Sequence, residues 1–481
     1  MEKQTIFMLM ITVGAVVGSF GWGPYVGILA YYAFAVLRPQ NLWQYALPEG
    51  MQWSLYVALT AIAAAAANRL RLIAYPTTGP TTGARVGMWN PVHWMMLAFF
   101  LWMTACYIKA ENQERAWHTF DIYLKTTLMF VVTSLTVYRL RQFWVMLFLL
   151  VAMDVYVAYE ANYTYFSWRR NTIQSHGFGG LDNNGAALML AMAIPLCFFL
   201  WEGSRGWWRW AFLLVLPVLA HAVQLTFSRG AMLSTILTAP FIFVFSRNKR
   251  LLLALGAVGA VFVYVTSGQE LKERFFSIKQ HDLDESANMR KQAWAAATKI
   301  ATDRPFFGFG LRCSGPHLEE YGSTKGMTVI HSQYLQLAAD TGWVGVGLYV
   351  ALYLTAVVYG ARVWWLTRKW PDYPEVRQAR AMAAALTCSL ILYGIGAVFL
   401  SLETFELPYV LFLMVAQLWN CYKGGGIEAA VRANGSVLPA PPGNLLPARA
   451  RPRAAPMPPP PQPVASSDDT PLVAVSPVRP K

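Results

Sequence analysis

Apolar residues run along this chain in blocks of about 16 to 20, parted by short polar joints, and the pattern repeats about a dozen times. A helix crossing the ~30 Å hydrocarbon core of a bilayer needs about 20 mostly apolar residues. A helix facing water would instead carry one apolar stripe. The blocks therefore predict an all-α, polytopic transmembrane helical bundle. Its spans fall near 5–21, 24–38, 53–68, 92–108, 122–138, 143–160, 185–201, 207–226, 230–246, 251–267, 343–361, 383–401 and 406–421. The first block is followed at once by the second with no clear small-residue cleavage site, so the N-terminus is expected to remain in the bundle.

The polar joints give the orientation. Arg69 and Arg71, Arg139 and Arg141, Arg205 and Arg209, Arg247, Lys249 and Arg250, and Arg362, Arg368 and Lys369 fall in alternate joints from the third span onward. The excess of Lys and Arg in cytoplasmic loops places these inside. The outer loops are then 109–121, 161–184, a short turn around Ser228, and 268–342. Thirteen spans with an inside C-terminus put the N-terminus outside; with one of the first two short segments re-entrant or interfacial, the count is 12. The chain then divides into three regions: an N-terminal transmembrane region (1–180), a transmembrane core holding the large loop 268–342 (181–422), and a Pro/Ala/Arg-rich tail (423–481). The tail, with its run Pro458 to Pro461, cannot bury a core and is expected to be disordered and cytoplasmic.

Composition agrees and narrows the function. Hydrophobic residues make up 56% and charged residues 13%, about half the ~25% of a soluble protein. The net charge of +14 sits in the joints and the tail, so it encodes orientation and gives no reason to expect nucleic acid. Of five cysteines (Cys106, Cys197, Cys313, Cys388, Cys421), only Cys313 lies in the large loop. That loop cannot close a disulfide of its own. No Cys or His pair has metal-ligand spacing, and there is no phosphate loop for ATP. Neither metal nor cofactor is expected.

The large outer loop carries nearly balanced charges, which suits a folded cap better than a basic arm. Ser286 to Thr302 reads as a helix with Ser286 as N-cap and Trp294 on its apolar face. Arg304-Pro305 breaks it, Gly308-Phe309-Gly310 turns, and His331 to Ala339 reads as a helix leading into Gly342 and the next span. His331, with Ser332 and Gln333 after it, stands at the outer membrane edge, and imidazole suits proton transfer near neutral pH. A lone loop histidine is more often an ordinary surface residue. Arg229, in the turn Thr226 to Ala231, is placed either to hold phosphate with its planar fork of donors or to anchor the helix at the headgroups. Arg290, Arg304 and Arg312 add cations to the loop, and Arg169 and Arg170 do so beside His176 and Asp182. Together they fit a pyrophosphate; singly, each fits a loop salt bridge. Asp154 and His221 lie within apolar runs, where ionisable groups are costly and often functional, though helix pairing explains them equally well.

Three pieces, in order, resemble the O-antigen ligase family of membrane glycosyltransferases (WaaL/Wzy type). Ser228-Arg229-Gly230-Ala231-Met232-Leu233 is similar to its Arg-x-x-x-Leu turn. Arg290, Trp294, Ile300, Pro305, Gly308 and Gly310 match its R…W…P-x-x-G-x-G approach. His331-Ser332, nine residues, Gly342, two residues and Gly345 fit its H-[NSQ]-x9-G-x-x-[GTY] motif. Residues Tyr25 to Leu29 and Leu37-Arg38-Pro39-Gln40 with Trp43 more loosely resemble the exosortase-associated O-glycosylation ligases. The resemblance covers about residues 180–420. It implies metal-independent transfer of a glycan from undecaprenyl pyrophosphate to an acceptor hydroxyl at the periplasmic face of a bacterial inner membrane. His331 would be the base, and Arg229 and Arg290 would hold the pyrophosphate. Arg312, Arg170, Ser332 and Gln333 are further substrate contacts, the two arginines chosen by position and charge. The acceptor is a glycolipid, a protein or a glycan; the last would make the chain a polymerase. A transporter or flippase of lipid-linked sugars is the rival reading, for which paired repeats and midplane charges would be the signature.

Overall fold

A computed structural model describes residues 3–48, 50–74, 89–268, 285–326, 328–402 and 405–433. Everything described is helical apart from turns and one isolated bridge between Phe178 and Leu181. The first part of the tail expected to be disordered, Gly426–Ala433, is instead a helix with Ile427 and Val431 buried, and the tail beyond Ala433 lies outside the described residues.

Each predicted span has a helix. In chain order these are α1 (Lys3–Gly21), α2 (Tyr25–Leu37), the short α3 (Pro39–Leu42), α4 (Trp53–Ala74), α5 (Pro91–Ile108), α6 (Gln113–Thr136), α7 (Leu140–Trp168), the short α8 (Thr172–His176) and α9 (Asn183–Gly203). Then come α10 (Trp210–Leu214), α11 (Leu216–Leu225), α12 (Arg229–Phe245), α13 (Lys249–Thr266), α14 (Glu285–Asp303), α15 (Gln333–Thr367), α16 (Pro374–Gly396), α17 (Leu407–Lys423) and α18 (Gly426–Ala433). Among the described helices, eight segments are long and apolar enough to cross a membrane by the strictest count, with α2, α4 and α12 somewhat shorter. α14 is already helical at Glu285, so Ser286 stands inside it and is not its cap.

The core lies between α9 and α16, both buried over nearly their whole length. Small residues let helices approach there. A methyl added at Gly396 would stand 2.4 Å from Leu188 Cδ1, and one at Gly360 would stand 2.3 Å from the Thr387 hydroxyl. Without water to drive association in a bilayer, such close packing is what holds helices together. α13 is the opposite case, with no buried residue at all.

The basic joints meet on one face. Asp372 gathers Arg247 at 2.6 Å, Arg377 at 3.3 Å, Arg205 at 3.5 Å and Arg380 at 3.8 Å. Glu202 accepts from the Arg247 and Asn248 amides and the Ser246 hydroxyl. The start of α2 reaches this face too, where the Tyr25 hydroxyl donates to the Gln142 carbonyl at 2.6 Å. α1 ends beside the start of α2, so its own start lies at the other face. There the Thr5 hydroxyl donates to the Ala46 carbonyl. This puts Lys3 on the same side as the cap formed by residues 285–332. Both α1 and α2 run as helices between the two faces, which favours the thirteen-span reading.

A cysteine replacing exposed Lys3 should react with a membrane-impermeant thiol reagent from the same side as one replacing Glu319 in the cap. One replacing Arg250 should react only from the other side. The five native cysteines are free and buried, so background labelling should be small. Labelling of positions 3 and 319 from opposite sides would overturn this arrangement.

Candidate functional site

The face opposite the basic joints carries the strain. Among the described residues, five that are not glycine take left-handed backbone: Arg38, Arg169, Phe227, Arg312 and His331. All five stand on this face. Such conformations cost about 1–3 kcal/mol each and collect where the surrounding structure imposes a geometry. Three of them bear on the candidate residues, Arg312 being one such residue itself. Phe227 precedes the Ser228–Arg229 start of α12, and His331 is another.

The α12 terminus brings a cap and a cation together. The Ser228 side chain caps it, accepting from the Ala231 amide at 3.4 Å. Half-buried Arg229 is the first helical residue of a 17-residue helix. A cation there opposes the helix dipole by about 0.3–1 kcal/mol, so helix stability does not explain its position. A guanidinium at a helix N-terminus does suit phosphate or carboxylate.

Two chains of contact join this turn to His331. On one side, Gly230 faces Phe399, to which an added methyl would stand 3.4 Å. Phe399 lies 6.4 Å from Trp294, ring to ring. Trp294 donates its indole N–H to the Ile330 carbonyl at 3.0 Å, one residue before the histidine. Arg290 stands one turn earlier on α14, on the same helical face as Trp294. On the other side, Asn183 donates to the Thr226 carbonyl at 3.0 Å. Its neighbour Asp182 caps α9 through the Gly185 amide at 2.8 Å and acts electrostatically on His331. Burial pushes the His331 pKa below its usual 6.5; Arg290 lowers it further, and Asp182 pulls it back. The imidazole is thus held neutral at neutral pH, the form a proton acceptor needs.

The first turns of α15 fix His331 in place. Buried Ser332 begins the helix. Gln333 is tied to the loop after α16, its amide donating to the Ala397 carbonyl at 2.8 Å and its Oε1 accepting from Leu402 at 2.6 Å. Its side-chain NH2 is buried without a partner. Gln336 donates to Asp340 at 2.7 Å and to Ser314 at 3.3 Å, while Asp340 accepts from the Ser314 amide at 3.0 Å. α15 then breaks at Gly342, with φ 70° and ψ −179°. The segment from Pro305 to Gly310 fills the break. Phe309 donates to Ala339 at 3.1 Å, Gly310 to Asp340 at 2.9 Å, and Trp343 back to Pro305 at 2.8 Å. Only glycines fit. A methyl at Gly308 would lie 2.3 Å from the Ala339 carbonyl oxygen, one at Gly310 2.4 Å from Ala110 Cα, and one at Gly342 2.1 Å from the Phe306 carbonyl oxygen.

The remaining predicted residues lie at other points of the loops. Exposed Arg312 lies beside Cys313, whose thiol points to the Asn112 carbonyl in the α5–α6 turn. Arg170 is exposed in the loop after α7; its neighbour Asn171 ties that loop to the Leu225 carbonyl at 2.7 Å. Arg304 stacks on Phe309 at 3.9 Å, and Phe309 stacks on His317 at 3.9 Å. His317 bonds Glu111 at 2.8 Å. Arg304 therefore pins the cap to the α5–α6 turn. His221 pairs helices through Asn162 at 2.6 Å. Asp154 is fully buried in α7. Among the described residues, no cluster of His, Cys, Asp and Glu could hold a metal.

Residues 218–350 match the family model described as O-antigen ligase. This stretch of the chain belongs to the O-antigen ligase family. It runs from inside α11 into α15 and contains Arg229, Arg290 and His331. No curated protein matches the chain. Phe399 and Asp182 lie outside the matched span. Of the two, only Asp182 carries a sequence signal, as a neighbour of Arg170 in a polar loop. Nothing in the local sequence marks Phe399. The Gln336–Asp340 pair, four residues apart in a mostly apolar helix, is a readable signal that the motifs alone do not include.

Gly342→Ala should destabilise the protein by about 1–3 kcal/mol, because both the backbone angle and the space exclude a side chain. Gly347, where an added methyl meets nothing within 4 Å, is the control. Thermal unfolding in detergent should drop for Gly342→Ala and stay near wild type for Gly347→Ala; equal behaviour would refute the account of the break.

Proposed function

We propose that the protein transfers a glycan from undecaprenyl pyrophosphate to an acceptor hydroxyl at the periplasmic face of a bacterial inner membrane. The observation that carries this reading is the chain of contacts from the Arg229 turn through Phe399 and Trp294 to Ile330, next to a His331 on which Arg290 acts electrostatically. Family membership supports a membrane glycosyl ligase or polymerase; the geometry supports the roles. His331 takes the proton of the acceptor hydroxyl. The acceptor oxygen attacks the anomeric carbon, and the bond from that carbon to the pyrophosphate breaks. The bonding pair leaves with the lipid pyrophosphate, whose growing charge Arg229 and Arg290 offset. Ser332 and Gln333 hold His331 in place from behind. Arg312 and Arg170, on the rim, are assigned to the longer glycan chains.

The reading places a lipid donor's pyrophosphate at the membrane edge, where α12 begins, and leaves the acceptor to approach from the aqueous side. The acceptor is identified by mass analysis of which glycolipid, protein or glycan loses its modification on deletion of the gene.

His331→Ala should reduce transfer by about 10²–10⁴, the usual contribution of a positioned base, with normal expression. Wild-type transfer by that variant would sink the mechanism. The pH profile adds a sharper test. Arg290 lowers the His331 pKa and Asp182 raises it. Loss of the cation in Arg290→Gln should therefore move the acid limb of kcat/KM to higher pH. Asp182→Asn should move it to lower pH. An acid limb that ignores both changes belongs to some other group.

A further inference from the structure

On the face of the basic joints, four arginines crowd around a single carboxylate. Arg205 follows α9, Arg247 stands between α12 and α13, and Arg377 and Arg380 lie in the first two turns of α16. Asp372 lies between 2.6 and 3.8 Å from all four.

Asp372 cannot neutralise them. Arg247 and Arg377 hydrogen-bond to it at 2.6 Å and 3.3 Å, one on each oxygen. Arg205 at 3.5 Å and Arg380 at 3.8 Å stand beyond the ~3.2 Å reach of a good N–H···O bond. Glu202 is the other acid nearby, and its Oε1 already accepts from the Ser246 hydroxyl, the Arg247 amide and both the backbone and side-chain amides of Asn248. Even with Glu202 and with Glu375 of the first α16 turn counted, the cations are in excess. Two of them are also out of water: the side chain of Arg380 is 5% exposed and that of Arg377 11%. Arg380 donates through Nη2 to the Thr367 carbonyl at 2.7 Å, while its Nε is buried with no hydrogen-bond partner. Gathering guanidiniums away from water is costly unless anions answer them. Arg205 and Arg247 are by contrast 64% and 50% exposed. The cluster thus has a buried floor and an open rim.

The rim lies at headgroup depth. Trp207, Trp208 and Trp210, just after Arg205, are all exposed, and tryptophans of this kind belong to the membrane–water boundary.

We propose that Arg205, Arg247, Arg377 and Arg380 form a binding site for the phosphate of an anionic phospholipid headgroup in the leaflet on this face. Guanidiniums hold phosphate oxygens through paired donors, and basic pockets between membrane helices seat such headgroups. The exposed pair admits the phosphate and the buried pair lies beneath it. Once bound, the phosphate joins the ends of α9, α12 and α16, two of which form the core. The site uses no residue near His331 and is independent of the transfer reading.

The test uses the full-length protein, delipidated in a neutral detergent, with native mass spectrometry and thermal unfolding as readouts. Phosphatidylglycerol should bind about tenfold or more tightly than phosphatidylcholine and should raise the unfolding temperature. Inorganic phosphate at equal ionic strength should raise it less. A shift with phosphate that phosphatidylglycerol does not exceed would assign the cluster to free phosphate and overturn the lipid site. Arg205→Gln combined with Arg247→Gln, both on the exposed rim, should weaken phosphatidylglycerol binding about tenfold or more. Lys249→Gln combined with Arg250→Gln removes the same charge from exposed positions outside the cluster and should stay within about twofold. Equal losses in the two pairs mean diffuse attraction and overturn the site. Asp372→Asn separates a ligand site from a purely structural ion pair. It removes the carboxylate that competes with phosphate, so phosphatidylglycerol should bind about threefold or more tightly even as the lipid-free protein unfolds earlier. Weaker lipid binding by a folded Asp372→Asn protein overturns the site.

Discussion

The broken helix at Gly342 is the constraint on which the rest of this face depends. In a bilayer, backbone groups released by a break must find partners inside the protein, because no water is there to take them. α15 meets that demand by exchanging hydrogen bonds with Pro305, Phe309 and Gly310. The exchange does more than satisfy a kink. It fastens the cap to the bundle through backbone alone, at a place where added methyls would collide with carbonyl oxygens. The nine residues before the break then form a short rigid helix, and His331 stands at its beginning. The fixed spacing between the histidine and Gly342 is thus the length of this lever.

Around that lever, polar contacts are arranged so that the histidine has little freedom. Gln333 and Gln336 fasten the first turns of α15 to the loop after α16 and to the cap. Trp294 holds the preceding carbonyl. A left-handed residue between two such anchors cannot relax by simple rotation, and this is how the energetic cost of the His331 backbone is sustained. Preorganisation of this kind suits proton transfer, which loses rate steeply with misplacement.

The spans are legible from sequence because a bilayer imposes length and polarity on each helix separately. Each of the thirteen apolar runs is helical among the described residues for that reason. The motif residues are legible as points: Arg229, Arg290 and His331 fall within the matched family region. Their relation is not. Phe399 connects the α12 turn to Trp294 from a loop with no local signature, and Asp182 reaches His331 from a different loop. The glycines of the break carry a turn signal, yet their partner stretch of backbone lies about thirty residues away, and periodicity cannot pair two such segments. Arg304 shows the converse. Its charge suggests the anion site, while its stacking on Phe309 makes it a fastening of the cap.

On the proposed reading, the sign of the electrostatics couples the base to the donor. Without an anion, burial and Arg290 both hold the imidazole in its neutral, weakly basic form. A pyrophosphate beside Arg290 offsets that cation and brings negative charge toward the same imidazole, and both changes favour the protonated ring. His331 therefore becomes a stronger proton acceptor when the donor is in place. The charge then growing on the leaving pyrophosphate strengthens the effect as the acceptor proton moves. The same groups that hold the leaving group thus keep the base idle in its absence, which restrains unproductive protonation of the site. Asp182 raises the His331 pKa and so keeps the imidazole from becoming too weak a base to act once the donor has arrived.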